Sequence, residues 1–201
     1  MKYSQELLDK YRYINVDFDD WSDSVIENFK ERVSEYGIDA GDIQFSGFCS
    51  QGDGACFSGY VIDIAKFMKA MGGSWDDYPN TITVLKQLGE DIDISWKHNN
   101  SNYYHENTLS FDIEYGRLVD ALSWNSPQLI LDAADALDCA ADAEYQVLEE
   151  DICSFIKGLC RELYRELRDE YEYLTSDEAV AEAIEACELD KEISNGDCAN
   201  Y

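Results

Sequence analysis

The sequence predicts an α+β fold, with an antiparallel sheet and flanking helices in the first half and a helical second half built on one long amphipathic helix. Three observations carry this expectation. Segments rich in aromatic and β-branched residues flank turn-forming strings between positions 43 and 115. After Gly116 the chain holds few glycines and a single proline, Pro127. From 144 to 174 the apolar residues Leu148, Ile152, Ile156, Leu159, Leu163, Leu167, Tyr171 and Leu174 step by three or four, the period of one helix face. The change at Gly116 divides the chain into an α+β core over 1–116 and an acidic helical extension over 117–201, packed on that core.

Each element follows in order. Leu7, Leu8 and Tyr11 predict a short opening helix, and alternation over 13–17 predicts a strand. Val25, Ile26, Phe29 and Val33 give a helix over 21–36 that Gly37 ends. Residues 43–50 and 55–64 read as two strands around Gln51-Gly52-Asp53-Gly54, a hairpin with an Asp-Gly turn. Ile64, Phe67, Met68 and Met71 make a short helix stopped by Gly72-Gly73, and Ile82, Val84, Leu85 and Leu88 another before Gly89. Residues 92–97 and 103–115 form a second strand pair joined by the polar turn 98–102. Beyond the long helix, 177–189 repeats the helical pattern, and 190–201 reads as a frayed acidic tail.

Charge bounds the function more tightly than any motif. Forty-three acidic residues against fifteen basic ones give a net charge of −28. Such a surface repels nucleic acid and anionic lipid, and it attracts the basic grooves with which proteins hold DNA or RNA. Over 132–190 there are nineteen Asp or Glu and four Lys or Arg, so more than half of the surplus lies there. With 45% hydrophobic and 13% aromatic residues, the acid is carried on a folded body and not on a disordered tail. The N-terminal residues hold no apolar signal stretch, and no run approaches the roughly 18 apolar residues of a membrane span. Seven cysteines (Cys49, Cys56, Cys139, Cys153, Cys160, Cys187, Cys198) without CxxC spacing fit a reducing host-cell cytoplasm. Cys153 and Cys160 fall on one helix face, as small buried apolar residues do.

The most distinctive string runs from Ser46 to Phe57, Ser-Gly-Phe-Cys-Ser-Gln-Gly-Asp-Gly-Ala-Cys-Phe. Its glycines permit close backbone approach, so the turn either closes a hairpin or presents Gln51 and Asp53 to a ligand or partner. It lacks the Lys-Ser/Thr of a P-loop. His98 and His105 are the only histidines. With Asp53 or Glu106 as an orienting carboxylate they make a possible general base, and across paired strands a possible metal site, although no spacing motif supports either. Asp17-Phe18-Asp19-Asp20 and Glu149-Glu150-Asp151 lack the register and glycine of a calcium loop. No catalytic residue, metal or cofactor is therefore expected.

The string SGF-x-SQGDGA-x-F resembles the core of a little-characterised group of small bacterial, plasmid and phage proteins, often labelled antitoxin-like. The likeness extends from about 43 to 106, including Tyr103-Tyr104-His105-Glu106. Cys49 stands where an aromatic residue is more usual, and the helical second half lies outside it. The resemblance implies a phage or mobile-element origin and an α+β core, and no reaction.

Together these readings lead to the expectation of a nucleic-acid mimic. The acidic helix would occupy the basic groove of a host nucleic-acid-binding defence complex, of CRISPR or restriction type. Its expected partner-binding residues are Glu149, Glu150, Asp151, Glu162, Glu166, Asp169, Glu170 and Glu172, with Tyr164, Tyr171 and Tyr173 as aromatic anchors. Arg165 with Asp169 and Arg168 with Glu172 are ordinary i,i+4 pairs of a solvated helix. The alternatives are an antitoxin that neutralises a small basic toxin, an enzyme using Asp53, His98, His105 and Glu106, and a virion-associated structural protein.

Overall fold

The computed structural model describes residues 2–89, 91–122, 126–187 and 189. Among the described residues seven helices, α1 (Gln5–Lys10), α2 (Asp23–Glu35), α3 (Ile64–Ala70), α4 (Pro79–Leu88), α5 (Leu118–Ala121), α6 (Gln128–Leu174) and α7 (Asp177–Ala186), accompany four strands. The strands are β1 (Ile38–Phe45), β2 (Ala55–Val61), β3 (Asp93–His98) and β4 (Leu109–Glu114). The chain folds as two compact units, one from Asn28 to Tyr164, the other from the two ends, Met1–Glu27 with Arg165–Tyr201.

The larger unit contains the sheet. All four strands are antiparallel in the order β1-β2-β3-β4, each beside its sequence neighbour. Phe57 on β2 sits at the centre of the core, with Phe29 edge-on at 5.1 Å and Trp96 of β3 at 5.4 Å. Phe155 of α6 meets Phe67 at 5.6 Å and Tyr36 at 6.2 Å. Within this unit α6 buries Leu148, Ile152, Ile156, Leu159, Cys160 and Leu163. The periodicity read from the sequence is thus the core face of the helix, and the predicted α+β class holds. Cys153, on the edge of that face, is only partly buried, unlike Cys160.

Local signals set the ends of these elements. Gly37 has φ +78° and its carbonyl accepts from Ile62 and Asp63, locking the end of α2 to the start of α3; a Cβ there would lie 2.3 Å from the Asp63 carbonyl. The Asp63 carboxylate caps α3 by accepting from Lys66 N, which holds its pKa below the usual carboxylate range. Pro79 opens α4 and Gly89, in the left-handed region, closes it.

The smaller unit rests on a satellite core. Leu8, Val180 and Ile184 are buried together, with Tyr3, Leu7, Tyr11, Ala181 and Leu189 around them. Arg12 ties the ends of the chain together, donating to Asp9 at 2.6 Å, to Asp177 at 2.5 Å and to the Thr175 carbonyl at 3.0 Å. Asn15 donates to the Leu174 carbonyl at 2.9 Å, and Trp21 stands edge-on to Tyr171 at 5.7 Å.

Four expectations are corrected. Residues 13–17 form no strand: Ile14 N and Val16 N bond back to Tyr11 O and Tyr13 O, a chain of turns that leaves no edge to pair. The first strand is Ile38–Phe45, starting directly after Gly37, and 46–54 is a loop. The last strand begins only at Leu109, because Glu106–Thr108 forms a 3₁₀ turn capped by the His105 side chain. The long helix starts at Gln128, well before 144. The predicted acidic tail, 190–201, lies outside the described residues.

Candidate functional site

α6 carries thirteen acidic residues against four basic ones, and from 128 to 156 it has no Lys or Arg at all. Several of these acids are bound into the fold. Asp138, 1% exposed, accepts from Leu118 N at 3.0 Å and Val119 N at 2.9 Å, supplying the cap that α5 lacks in its own sequence. Glu144 does the same for α4, accepting from Asn80 N at 2.9 Å, Thr81 N at 3.0 Å and the Asn80 side chain. A carboxylate at a helix N-terminus satisfies orphan amides and meets the positive end of the macrodipole. Asp142 accepts from the Tyr115 hydroxyl and lies 3.6 Å from Arg117, and Asp151 accepts from the Tyr78 hydroxyl at 2.8 Å. Burial, followed by that bond, pushes the Tyr78 phenol up to about 12.

The expected partner-binding residues therefore divide. In the larger unit Glu149, Glu150 and Glu162 are exposed, whereas Asp151 is engaged by Tyr78. Tyr164 is not an exposed anchor: its ring stacks on Phe48 at 5.6 Å and its hydroxyl donates to the Gly47 carbonyl at 3.3 Å. In the smaller unit Asp169 and Glu172 are exposed, with Arg168 at 2.9 Å from the first and 3.7 Å from the second. Glu166 and Glu170 are half-buried, Tyr171 packs on Trp21, and Tyr173 is exposed.

The loop 46–54 is held by its own aspartate. Asp53 accepts from Cys49 N at 2.9 Å and Ser50 N at 2.6 Å, so these amides point at a carboxylate already present. Ser46 and Gly54 close the base, N to O at 3.0 Å and N to Oγ at 3.1 Å. The 103–105 segment explains the glycines: a Cβ on Gly54 would stand 2.4 Å from the His105 Cβ, and one on Gly52 3.1 Å from the Tyr103 ring. Gln51 is exposed at the tip.

Neither histidine is oriented by a carboxylate in the bonds the structure shows. His98 Nε2 lies 3.0 Å from the Tyr103 carbonyl, and His105 Nδ1 accepts from Asn107 N at 3.1 Å. Glu106 faces Arg161 at 3.8 Å. The two rings flank tyrosines, His98 by Tyr104 and His105 by Tyr103. Among the described residues no three His, Cys, Asp or Glu side chains gather as metal ligands. A cavity of about 510 Å3 opens beside α6, lined by Met71, Gly72, Asp77, Tyr78, Asp151 and Phe155 among others.

Asp138, Asp142 and Glu144 were hidden in the acidic pattern. The available signal was on the other side: Tyr78 and Arg117, which precede α4 and α5, form no side-chain cap, so both helices need an outside acceptor.

Fold and carboxylates together define an acidic α+β protein, a meander sheet braced by a long helix whose acids are partly structural and partly displayed. The chain belongs to the DUF8835 family, a domain of unknown function whose profile matches residues 21–177. No curated protein and no solved structure matches it. Among the described residues no helix is long and apolar enough to cross a membrane.

Proposed function

We propose that the protein is an acidic inhibitor that binds the basic nucleic-acid groove of a host defence complex, with carboxylates standing in for phosphates. The supporting observation is a group of α6 acids of the larger unit left on the surface after the fold has taken its share, Glu149, Glu150 and Glu162. They are exposed, and at a net charge of −28 each adds to self-repulsion. A basic partner relieves that repulsion on binding, and the attraction weakens as salt screens it. The antitoxin-like label of the resembling proteins also implies a cationic partner, there a small toxin.

Affinity purification from the native host, with mass spectrometry and elution by duplex DNA, tests this. A nucleic-acid-binding complex displaced by DNA is expected, and the combined Glu149→Lys, Glu150→Lys and Glu162→Lys variant should recover none of it while keeping its helical circular dichroism. Retained binding by that variant, or a partner that DNA does not displace, contradicts the mimic. A single small basic protein encoded beside this gene would establish the antitoxin instead.

A further inference from the structure

Among the described residues, the first half of α6 has two apolar faces, and the core covers one of them. Ala134, Ala141 and Leu148 are buried, the first two packed with Val84 and Leu118. Between these positions runs a second series, Leu129, Ala133, Ala136, Ala140, Ala143 and Val147, alternating steps of four and three. Leu129 is 80% exposed and Val147 53%, Ala133, Ala136 and Ala143 are exposed, and Ile130 beside the series is 49% exposed. This is the seam spacing of a coiled coil, about 27 Å long at 1.5 Å per residue. Alanines along it allow a second helix to approach at the short end of the usual range, about 8 Å between axes.

We infer that this seam docks an amphipathic helix of a partner protein, one with a small apolar face flanked by lysines or arginines. Charge complementarity selects that occupant. Asp132 flanks the seam on one side and Asp151 follows it on the other, and no base occurs from 128 to 156. Flanking charges set partner choice in helix pairs, so a second copy of this chain would set like charges against each other. The seam also leads somewhere. Asp151 and Ser154 lie one and two turns beyond Val147 on the same stripe, and both line the 510 Å3 cavity with Asp77, Tyr78 and Phe155. Carboxylates and aromatic rings around one space suit a lysine or arginine side chain projecting from the docked helix.

This inference rests on the proposed cationic partner and replaces a diffuse acidic surface with a defined one. The test uses the intact protein and a labelled synthetic helix of about 21 residues, with Leu and Ala along a seam and Lys on its flanks. Two controls are the same residues in scrambled order and the same seam flanked by Glu. By fluorescence anisotropy at physiological salt, the seam peptide should bind about tenfold or more tighter than either control. Ala136→Arg and Ala140→Arg should remove that advantage by obstruction, and Leu129→Ser with Val147→Ser should reduce it without added bulk, circular dichroism confirming the fold. Equal binding of the scrambled peptide overturns the seam but leaves the acidic reading standing. Failure of every cationic peptide overturns both. Self-association in sedimentation velocity that Ala136→Arg abolishes gives the face to a second copy and overturns the inference.

Discussion

A single carboxylate, Asp138, shows how this chain uses acid inside its fold. Its oxygens serve two backbone amides of α5, with the Arg117 guanidinium at 4.0 Å and almost no contact with water. Removing it strands two backbone donors, one buried and one partly buried, so Asp138→Ala should cost about 2–4 kcal/mol in denaturant unfolding. Asp138→Asn, which keeps one acceptor, should cost clearly less, whereas a loss below about 0.5 kcal/mol for the alanine variant would place it among ordinary surface changes. None of this was legible in the sequence, where an Asp in a run of Asp and Ala reads as solvated. Asp53 was half legible: the glycines around it marked a turn, but only the fold shows that the carboxylate fills its own loop and that Gly54 yields space to His105. The histidines were singled out for their chemistry, and the bonds they make are structural.

At the scale of elements, the part of α6 from 144 on was the most readable because its inward face is regular and apolar, whereas its first sixteen residues were not read as part of it. Its two faces give a paired prediction. Ile152 is fully buried, so Ile152→Ala should cost about 2–5 kcal/mol, while Val147→Ala on the exposed seam should stay within about 0.5 kcal/mol. Both are read from urea unfolding, and a large loss at Val147 would mean that the fold itself covers the seam. β1 was the least readable. Its sequence, Ile-Asp-Ala-Gly-Asp-Ile-Gln-Phe, has low strand propensity and an irregular register between Ala40 and Ile43, so pairing with β2 decides its position. The string 46–50, read as the second part of a strand over 43–50, is loop: its Cys49 and Ser50 amides go to Asp53 and its Ser46 amide to the Gly54 carbonyl. The opposite failure occurred at 13–17, where alternation was present and a neighbouring strand was not.

For the whole molecule, alkaline pH adds charge to a body already at −28. The Tyr78 and Tyr145 phenols are pushed up to about 12, both first by burial, then by the Asp151 bond for Tyr78 and by the nearby Glu149 for Tyr145. Each keeps its proton in the folded chain at a pH where the unfolded chain, near 10, has lost it. The folded state binds more protons in that interval, so stability is intact below about pH 10 and falls as pH rises towards 12. Urea midpoints at pH 9 and 11 should show the drop, and Tyr78→Phe with Tyr145→Phe should shrink it; an unchanged drop would assign it to other groups.

The smaller unit is assembled from segments at opposite ends of the chain, with Asn15 reaching Leu174 and Arg12 reaching Asp177. During synthesis the sheet and its neighbours are complete once Tyr164 emerges, whereas Leu8 and Tyr11 must wait for residues near 180 before they can leave water. A ribosome that stops short of α7 thus releases a product with a finished centre and an opening helix that has nowhere to pack.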